Sequence, residues 1–111
     1  MKIIDRLLND VIILRPEIFL DKRGHFFESF NEKKFLKLIN KNNIKFVQDN
    51  HSHNKKGSLR GLHYQTKNTQ SKLVRVIDGE IFDVVVDVRK KSKNFGKWAG
   101  INLSHKNLYQ I

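Results

Sequence analysis

Two side chains in the middle of the chain have the chemical types that acid–base catalysis and anion binding need. His63 and Lys72 lie in segments that are otherwise rich in strand-forming residues. A free imidazole has a pKa of about 6.5, so a histidine held in a barrel can act as a base near neutral pH. Lys72 shares a strand face with Val74 and Val76, where it would project among apolar neighbours and could face an anion. The pattern therefore predicts a polar site inside a β-barrel.

Other interpretations of these residues remain open when only the pattern is considered. A single histidine in a strand is more often structural than catalytic, and Lys72 fits the entrance of a strand as well as an anion site. Alternation places His63 on the same face as Gly61 and on the face opposite Arg60. A bulge near Gly57 or Gly61 would bring Arg60 and His63 together.

His51 and His53 also share one strand face, as two ligands of a metal ion would. A metal-binding barrel of this kind needs a glutamate soon afterwards, but the next glutamate is Glu80. We therefore interpret both histidines as surface or site-rim residues and expect no metal site. The sequence has no glycine-rich phosphate loop, no nucleophile elbow and no zinc spacing, and no cofactor is expected.

Composition limits the class of protein and its partners. A length of 111 residues predicts a single domain over residues 1–111. The net charge of +11, from 22 Lys and Arg against 11 Asp and Glu, attracts phosphorylated small molecules and polyanions alike. We favour a compositional bias over nucleic-acid binding as its origin. The sequence shows no cysteine, no signal-peptide pattern and no run of about 18 apolar residues, so we expect a cytoplasmic protein without a membrane partner.

Short strands must position these residues. Asn31 predicts the N-cap of the only helix, which ends in the cluster 40–43, and Asp78-Gly79 predicts a hairpin turn. Strands at short spacing without a βαβ rhythm predict an all-β antiparallel sandwich or barrel with one short helix. The strand signals lie at residues 11–14, 18–20, 46–52, 58–64, 72–78, 80–89 and 98–103.

Alternation also divides the segment 81–89 into two faces. One face contains two carboxylates, Asp83 and Asp87. The opposite face is entirely apolar and is predicted to be the core: Phe82, Val84, Val86 and Val88.

Six blocks of the chain are similar to a known family. They are FLDKRGHFFE (residues 19–28), FVQDN (46–50), GSLRGLHYQ (57–65), QSKLVRV (70–76), GEIFDVVVDVR (79–89) and FGKW (95–98). Together they resemble the N-terminal and central part of the dTDP-4-dehydrorhamnose 3,5-epimerase family. The resemblance implies a cupin-type jelly roll that needs no metal and is normally a homodimer. It also implies epimerisation of a dTDP-linked 4-keto-6-deoxyhexose at C3 and C5, on the way to dTDP-L-rhamnose for cell-surface polysaccharide.

The resemblance assigns roles to single residues. His63 matches the base that removes protons next to the ketone, and Lys72 matches a lysine near the keto oxygen. Arg23 and Glu28 match positions that contact the nucleotide and in this family can come from the neighbouring subunit. The further positions that match substrate-contacting residues are Gln48, Asp49, Asn50 and Arg60.

One part of the family's pattern is not found. The tyrosine that reprotonates the sugar and the aspartate that orients the base follow a Gly-Phe-Ala-His-Gly-Phe block, which this sequence does not contain. Tyr64 and Tyr109 do not match that tyrosine. We therefore expect a jelly roll that is incomplete at its C-terminus and epimerises poorly unless another chain supplies the rest. A related nucleotide-sugar ketoisomerase or single-site epimerase, and a non-enzymatic basic remnant or binding module, remain as alternatives.

Overall fold

The computed structural model describes all 111 residues and contains six strands and one helix. The strands form three antiparallel pairs, β1–β2, β3–β4 and β5–β6. The predicted combination of antiparallel strands and one short helix is confirmed. In chain order the elements are β1 (Lys2–Leu7), β2 (Val11–Arg15), β3 (Phe19–Asp21), β4 (Gly24–Phe26), α1 (Glu32–Ile39), β5 (Glu80–Val86) and β6 (Trp98–Ser104).

The helix α1 begins and ends where the sequence predicts. The Asn31 side chain caps the first turn by accepting a hydrogen bond from the backbone N–H of Lys34 at 3.1 Å. Asn40 ends the helix in the left-handed region, at a φ of 54°. Phe35 and Ile39 bury one face of α1. The structure contains no helix that is long and apolar enough to cross a membrane.

A first sheet, built on β1 and β2, lies under the helix. Leu14 of β2 is 1% exposed and packs with Phe35 and Ile39 in a buried apolar cluster, with Leu73 at its margin. Ile13 precedes Leu14 and therefore points to the opposite side of the sheet, where it is 2% exposed. This sheet thus has a helix side, marked by Leu14, and an inner side, marked by Ile13.

Residues 110–111 join a distant segment to this sheet. The backbone of Gln110 pairs with that of Leu14 through hydrogen bonds of 2.8 and 2.9 Å, and Ile111 pairs in the same way with Val74. The Gln110 side chain donates to the backbone oxygen of Ser29, just before α1, at 2.9 Å. The first sheet therefore continues from β2 through residues 110–111 to residues 74–75.

The second sheet consists of β5 and β6, and its buried face is the opposite of the one predicted. Phe82 is 62% exposed and Val88 is 51% exposed, so the apolar face is not core. On the carboxylate face Asp87 is 6% exposed, and Leu103, which pairs with Ile81 on that face, is 0% exposed. Alternation defines two faces of a strand but does not determine which one turns inward.

Each sheet has a buried apolar residue outside the helix-side cluster. Ile13 and Leu103 are both buried, yet neither belongs to the helix-side cluster. The connection after β5 reaches the β1–β2 turn, because the Asn94 side chain donates to the backbone oxygen of Leu8 at 3.0 Å. The connection between β5 and β6 therefore lies next to the turn of the first sheet.

Asp87 fixes the connection between β5 and β6. Its carboxylate accepts hydrogen bonds from the backbone and guanidinium of Arg89 and from the Ser92 hydroxyl, at distances from 2.6 to 3.0 Å. These bonds hold the pKa of the Asp87 carboxyl far below its usual range. Arg89 also pairs with Asp10 in the β1–β2 turn at 2.7 Å. The network therefore ties the second sheet to the first.

Replacing Asp87 with asparagine is expected to destabilise the fold, because an amide loses the charge that Arg89 faces and cannot accept every hydrogen bond. In the folded state the pKa of the Asp87 carboxyl is lower than its unfolded-state value of about 3.9. The ionised carboxylate therefore stabilises the fold above that pH, and this stabilisation is lost as the pH falls below it. Urea unfolding should therefore show a difference in the free energy of unfolding between wild type and Asp87→Asn at pH 7, and this difference should become smaller below about pH 4. Asp10→Asn removes an exposed partner of the same guanidinium and should change the free energy of unfolding little. A difference in the free energy of unfolding that does not depend on pH would contradict this explanation.

Three predicted strands form no ladder of their own. Residues 46–52 and 58–64 lie outside any strand, and within 72–78 the pairing is limited to the contacts with residues 110–111. Across residues 46–73, here called the unpaired segment, the backbone forms one hydrogen bond, from the N–H of Ser58 to the oxygen of Lys55. Composition predicted these strands wrongly because a ladder needs a neighbouring strand, and residues 1–111 supply none here.

The predicted hairpin at Asp78-Gly79 is also wrong. Gly79 adopts a φ of 77°, as a turn residue does, but β5 pairs with β6 and not with the segment before the turn. The turn carries the chain from the first sheet to the second. β5 ends at Val86, before the predicted limit at Arg89.

The β3–β4 hairpin confirms the turn predicted at residues 21–24, and it presents apolar side chains to solvent. Phe19 is 54% exposed, Leu20 81% and Phe26 70%. The rings of Phe19 and Phe26, on paired positions, lie 6.4 Å apart. The hairpin therefore has an uncovered apolar surface.

Candidate active site

His63 lies in the unpaired segment with its side chain exposed. Gly61 adopts a φ of 105°, which residues with a Cβ rarely do. A Cβ built on Gly61 would lie 3.5 Å from Nδ1 of His63, so the two residues share one side, as alternation predicts. Of the five histidine side chains, only that of His105 forms a hydrogen bond. The His63 imidazole is therefore available to a ligand.

The positive charge of Lys72 acts on the carboxyl of Asp83 in β5. Lys72 is exposed, and Leu73 next to it packs against the cluster on the helix side. Asp83 lies on the carboxylate face of β5 and is partly buried. Burial raises the pKa of the Asp83 carboxyl, and the positive charge of Lys72 opposes that rise. The expectation that Lys72 projects among apolar neighbours is wrong, because its side chain is exposed.

Arg23 lies in the turn of the β3–β4 hairpin. Its guanidinium pairs with Asp21 at 2.6 Å, and its side chain is 91% exposed. The hydrogen bond from Arg23 holds the pKa of the Asp21 carboxyl below its usual range. The hairpin borders an open depression of about 410 Å³, which Phe19 and Phe26 also line. Since exposed ion pairs contribute little to stability, Arg23 can turn towards an anionic ligand at small cost.

Glu28 lies between the hairpin and α1. Its carboxylate accepts hydrogen bonds from Nζ of Lys34 at 2.9 Å and from Nδ2 of Asn31 at 3.1 Å. Both bonds lower the pKa of the Glu28 carboxyl. Glu28 is therefore held as an anion at the start of the helix.

The remaining predicted substrate contacts lie in the unpaired segment. Gln48, Asp49, Asn50 and Arg60 are all exposed. Nε2 of Gln48 donates to Oδ1 of Asn50 at 2.9 Å, which orients the two amides relative to each other. These groups can form hydrogen bonds with a polar ligand.

The structure connects only some of the residues that the sequence singles out. Gln48 contacts Asn50, and Lys72 acts on Asp83, but no hydrogen bond or ion pair joins His63 to Lys72. Asp83 is the one further candidate, and its place on the carboxylate face of β5 is the signal that could have identified it. No group of three or more His, Cys, Asp or Glu side chains is placed to hold a metal ion.

Comparisons with known proteins all point to the same family. The family model for dTDP-4-dehydrorhamnose 3,5-epimerase matches residues 5–111. A curated relative of that name from Neisseria gonorrhoeae is 56% identical over 111 residues, which are 100% of this chain and 33% of the relative. Another from Salmonella typhimurium is 53% identical over 112 residues, covering 100% of this chain and 61% of the relative. The chain thus spans between 33% and 61% of the length of these relatives.

A solved structure supports the same assignment. The crystal structure of dTDP-6-deoxy-D-glucose-3,5-epimerase from Legionella pneumophila, in complex with dTDP-4-keto-L-rhamnose, superposes with a TM-score of 0.92. It is 48% identical in sequence, and the match covers 98% of this chain and 57% of that chain. The agreement includes the residues that form no ladder here. It confirms the predicted cupin-type fold class.

Proposed function

Because the chain belongs to the dTDP-4-dehydrorhamnose 3,5-epimerase family, we propose that it carries the proton-abstracting part of a site that epimerises a dTDP-linked 4-keto-6-deoxyhexose. The observation that carries this proposal is the family match over residues 5–111. The Legionella pneumophila relative binds dTDP-4-keto-L-rhamnose, a sugar of this chemical class. The proposed enzyme class is an isomerase that acts without a cofactor.

In this mechanism His63 is the base and Lys72 stabilises the intermediate. The C–H bond next to the C4 ketone breaks, its proton moves to the imidazole, and its electron pair forms an enolate. The Lys72 ammonium faces the negative charge that develops on the C4 oxygen. Return of a proton from the opposite face of the ring inverts the carbon, and repetition at the second carbon completes the reaction. None of the residues assigned above supplies that opposing proton.

The nucleotide diphosphate would bind to basic and amide side chains around this centre. Arg23 and Arg60 are exposed and can pair with phosphate oxygens in a bidentate manner. Glu28 is held as an anion and accepts hydrogen bonds, which suits the N–H of a nucleobase. The amide and carboxylate side chains of residues 48–50 would contact the sugar.

The proposed assembly is a homodimer in the cytoplasm. The exposed apolar surface of the β3–β4 hairpin supports a partner subunit, because burying Phe19, Leu20 and Phe26 would contribute favourably to association. In such a dimer Arg23, in the turn of the hairpin, would reach the site of the other subunit. The absence of cysteine from these residues suits a reducing compartment.

Deuterium exchange tests the proposed function on this chain directly. The protein is incubated in D₂O with the dTDP-linked 4-keto-6-deoxyglucose, and the sugar is followed by NMR. We expect deuterium at C3 and C5, because the exposed His63 can exchange the abstracted proton with solvent before it returns. Exchange therefore requires only the base and Lys72, and no opposing acid.

The background is measured with substrate alone under the same conditions. Deuterium at one carbon only would assign a single-site epimerase instead. Exchange no faster than the background would overturn the proposal.

A further inference from the structure

Two cations oppose each other at one end of the first sheet. Lys2, the first residue of β1, is paired in register with Arg15, the last residue of β2. Directly opposed residues of an antiparallel pair point to the same face of the sheet, with their Cβ atoms about 4.5–5.5 Å apart. Like charges in this arrangement repel each other, and an anion that binds to both of them removes the repulsion.

The Arg15 guanidinium has no acceptor within the protein. Its Nε is buried and forms no hydrogen bond. Glu17 lies at the same end of the sheet, but none of the ion pairs in the structure joins its carboxylate to Arg15 or Lys2. A buried donor without an acceptor is costly, so such a donor is expected to find its partner outside the chain. Arg15 therefore has the properties of an anion-binding residue.

Both cations line an open depression at this end of the sheet. Its volume is about 470 Å³, and its wall also includes the apolar residues Met1 and Ile18. Sites for small molecules have volumes of about 300–1,000 Å³ and combine apolar walls with a few polar groups. The depression therefore has the size and the composition to hold an organic anion.

We propose that Lys2 and Arg15 form a binding site for the phosphate group of a small organic phosphate. The guanidinium presents parallel N–H donors that match two phosphate oxygens, and the Lys2 ammonium adds a second positive charge. Met1 and Ile18 would contact the organic part of the ligand. None of these residues is among those assigned to the sugar or the nucleotide, so the inference goes beyond the proposed function and does not rest on it.

A titration with phenyl phosphate, followed by ¹H–¹⁵N NMR of the protein, tests this site. At about pH 7.5, where a phosphate monoester is mainly a dianion, we expect saturable shifts of the backbone N–H signals of Lys2, Arg15 and Ile18. Benzoate has the same ring but a single charge, so it should bind more weakly at equal ionic strength. The absence of saturable shifts, or equally tight binding of benzoate, would overturn the proposal.

Three variants test the role of the two cations. Arg15→Met should weaken the binding of phenyl phosphate by at least about tenfold, because charge-assisted hydrogen bonds are lost. Lys2→Met should weaken it by about two- to fivefold, because the Lys2 side chain is exposed. The matched control is Lys93→Met. Lys93 is also exposed but lies at the other end of the β1–β2 pair, since its neighbour Asn94 bonds to Leu8.

Lys93→Met should leave the affinity unchanged. Binding that survives Arg15→Met, or that Lys93→Met weakens as much as Lys2→Met does, would show a general attraction of charge and overturn the proposal. Because Lys2 is exposed, Lys2→Met should keep the fold and tests the site even if Arg15→Met lowers the stability.

The same spectra separate this site from the one proposed for the nucleotide. Arg23 and Arg60 are the cations assigned to the nucleotide diphosphate. Arg23→Gln should therefore leave the shifts at residues 15–18 unchanged. Shifts that appear only around Arg23 and Arg60 would place the phosphate in the nucleotide site, and the Lys2–Arg15 site would be wrong. The deuterium-exchange experiment can fail without changing any of these results, because the titration contains no sugar substrate.

Discussion

Replacing His63 with alanine is expected to reduce deuterium exchange at C3 and C5 by about 10²- to 10⁴-fold, the contribution of a positioned base. Every other proposed residue binds the substrate or stabilises charge, so none can take over the abstraction of the proton. The His63 side chain is exposed and forms no hydrogen bond within the protein. The substitution should therefore remove the chemistry and leave the free energy of unfolding nearly unchanged.

His53→Ala is the control for this experiment. His53 lies in the same unpaired segment and is also exposed, but it is assigned to the surface or the rim of the site. Its replacement should leave the exchange rate within about twofold of wild type, as expected of a residue that contributes little to the transition state. If His63→Ala exchanged as fast as His53→Ala, the base would be a different group and the proposed mechanism would be wrong.

Replacing Phe35 with alanine is expected to lower the free energy of unfolding by about 3–5 kcal/mol, as for other large-to-small changes in a core. Phe35 is 6% exposed and its ring lies 5.6 Å from that of Phe30 and 5.5 Å from that of Phe46. It packs with Leu14 and Ile39 in the cluster that joins the helix to the first sheet. Because small domains have total stabilities of about 5–15 kcal/mol, this one change would unfold a substantial part of the population.

The measurement is urea unfolding followed by far-UV circular dichroism. Lys33→Ala is a suitable control, because Lys33 lies on the same helix and is exposed. Exposed substitutions of this kind stay within about 0.5 kcal/mol of wild type. An unchanged midpoint for Phe35→Ala would show that the cluster under α1 does not hold the fold together.

Local signals predicted the elements whose structure depends on local contacts. The helix follows from Asn31, which satisfies the N–H of Lys34, and from Asn40, which tolerates the left-handed conformation. The β3–β4 hairpin follows from its turn at residues 21–24. In each case the residues that decide the conformation are neighbours in sequence.

The strand β1 and the inward face of β5 were not predicted. β1 shows no clear alternation because its register with β2 shifts between Ile3 and Asp5. The inward face of β5 is the charged one, and Asp87 on that face is satisfied by Arg89 and Ser92, which follow the strand. Arg89 in turn pairs with Asp10 in the β1–β2 turn, a partner that the alternation within β5 does not reveal.

The candidate site divides in the same way. The types of His63 and Lys72 point to proton abstraction and anion binding, while their roles on a sugar came from the resemblance to the family. Asp83 was not predicted as a site residue. The pKa of its carboxyl is raised by burial within the fold, and its own segment does not reveal that burial.

The contacts of Gln110 also determine when this fold can form during protein synthesis. Its side chain bonds to Ser29 across 81 positions, and Asn94 bonds to Leu8 across 86. Contacts between residues so far apart in sequence form slowly, because a long loop must close first. The pairing of β2 with residues 110–111 cannot form before the ribosome has added residue 110. The first sheet is therefore expected to be completed only when nearly all of residues 1–111 have been synthesised.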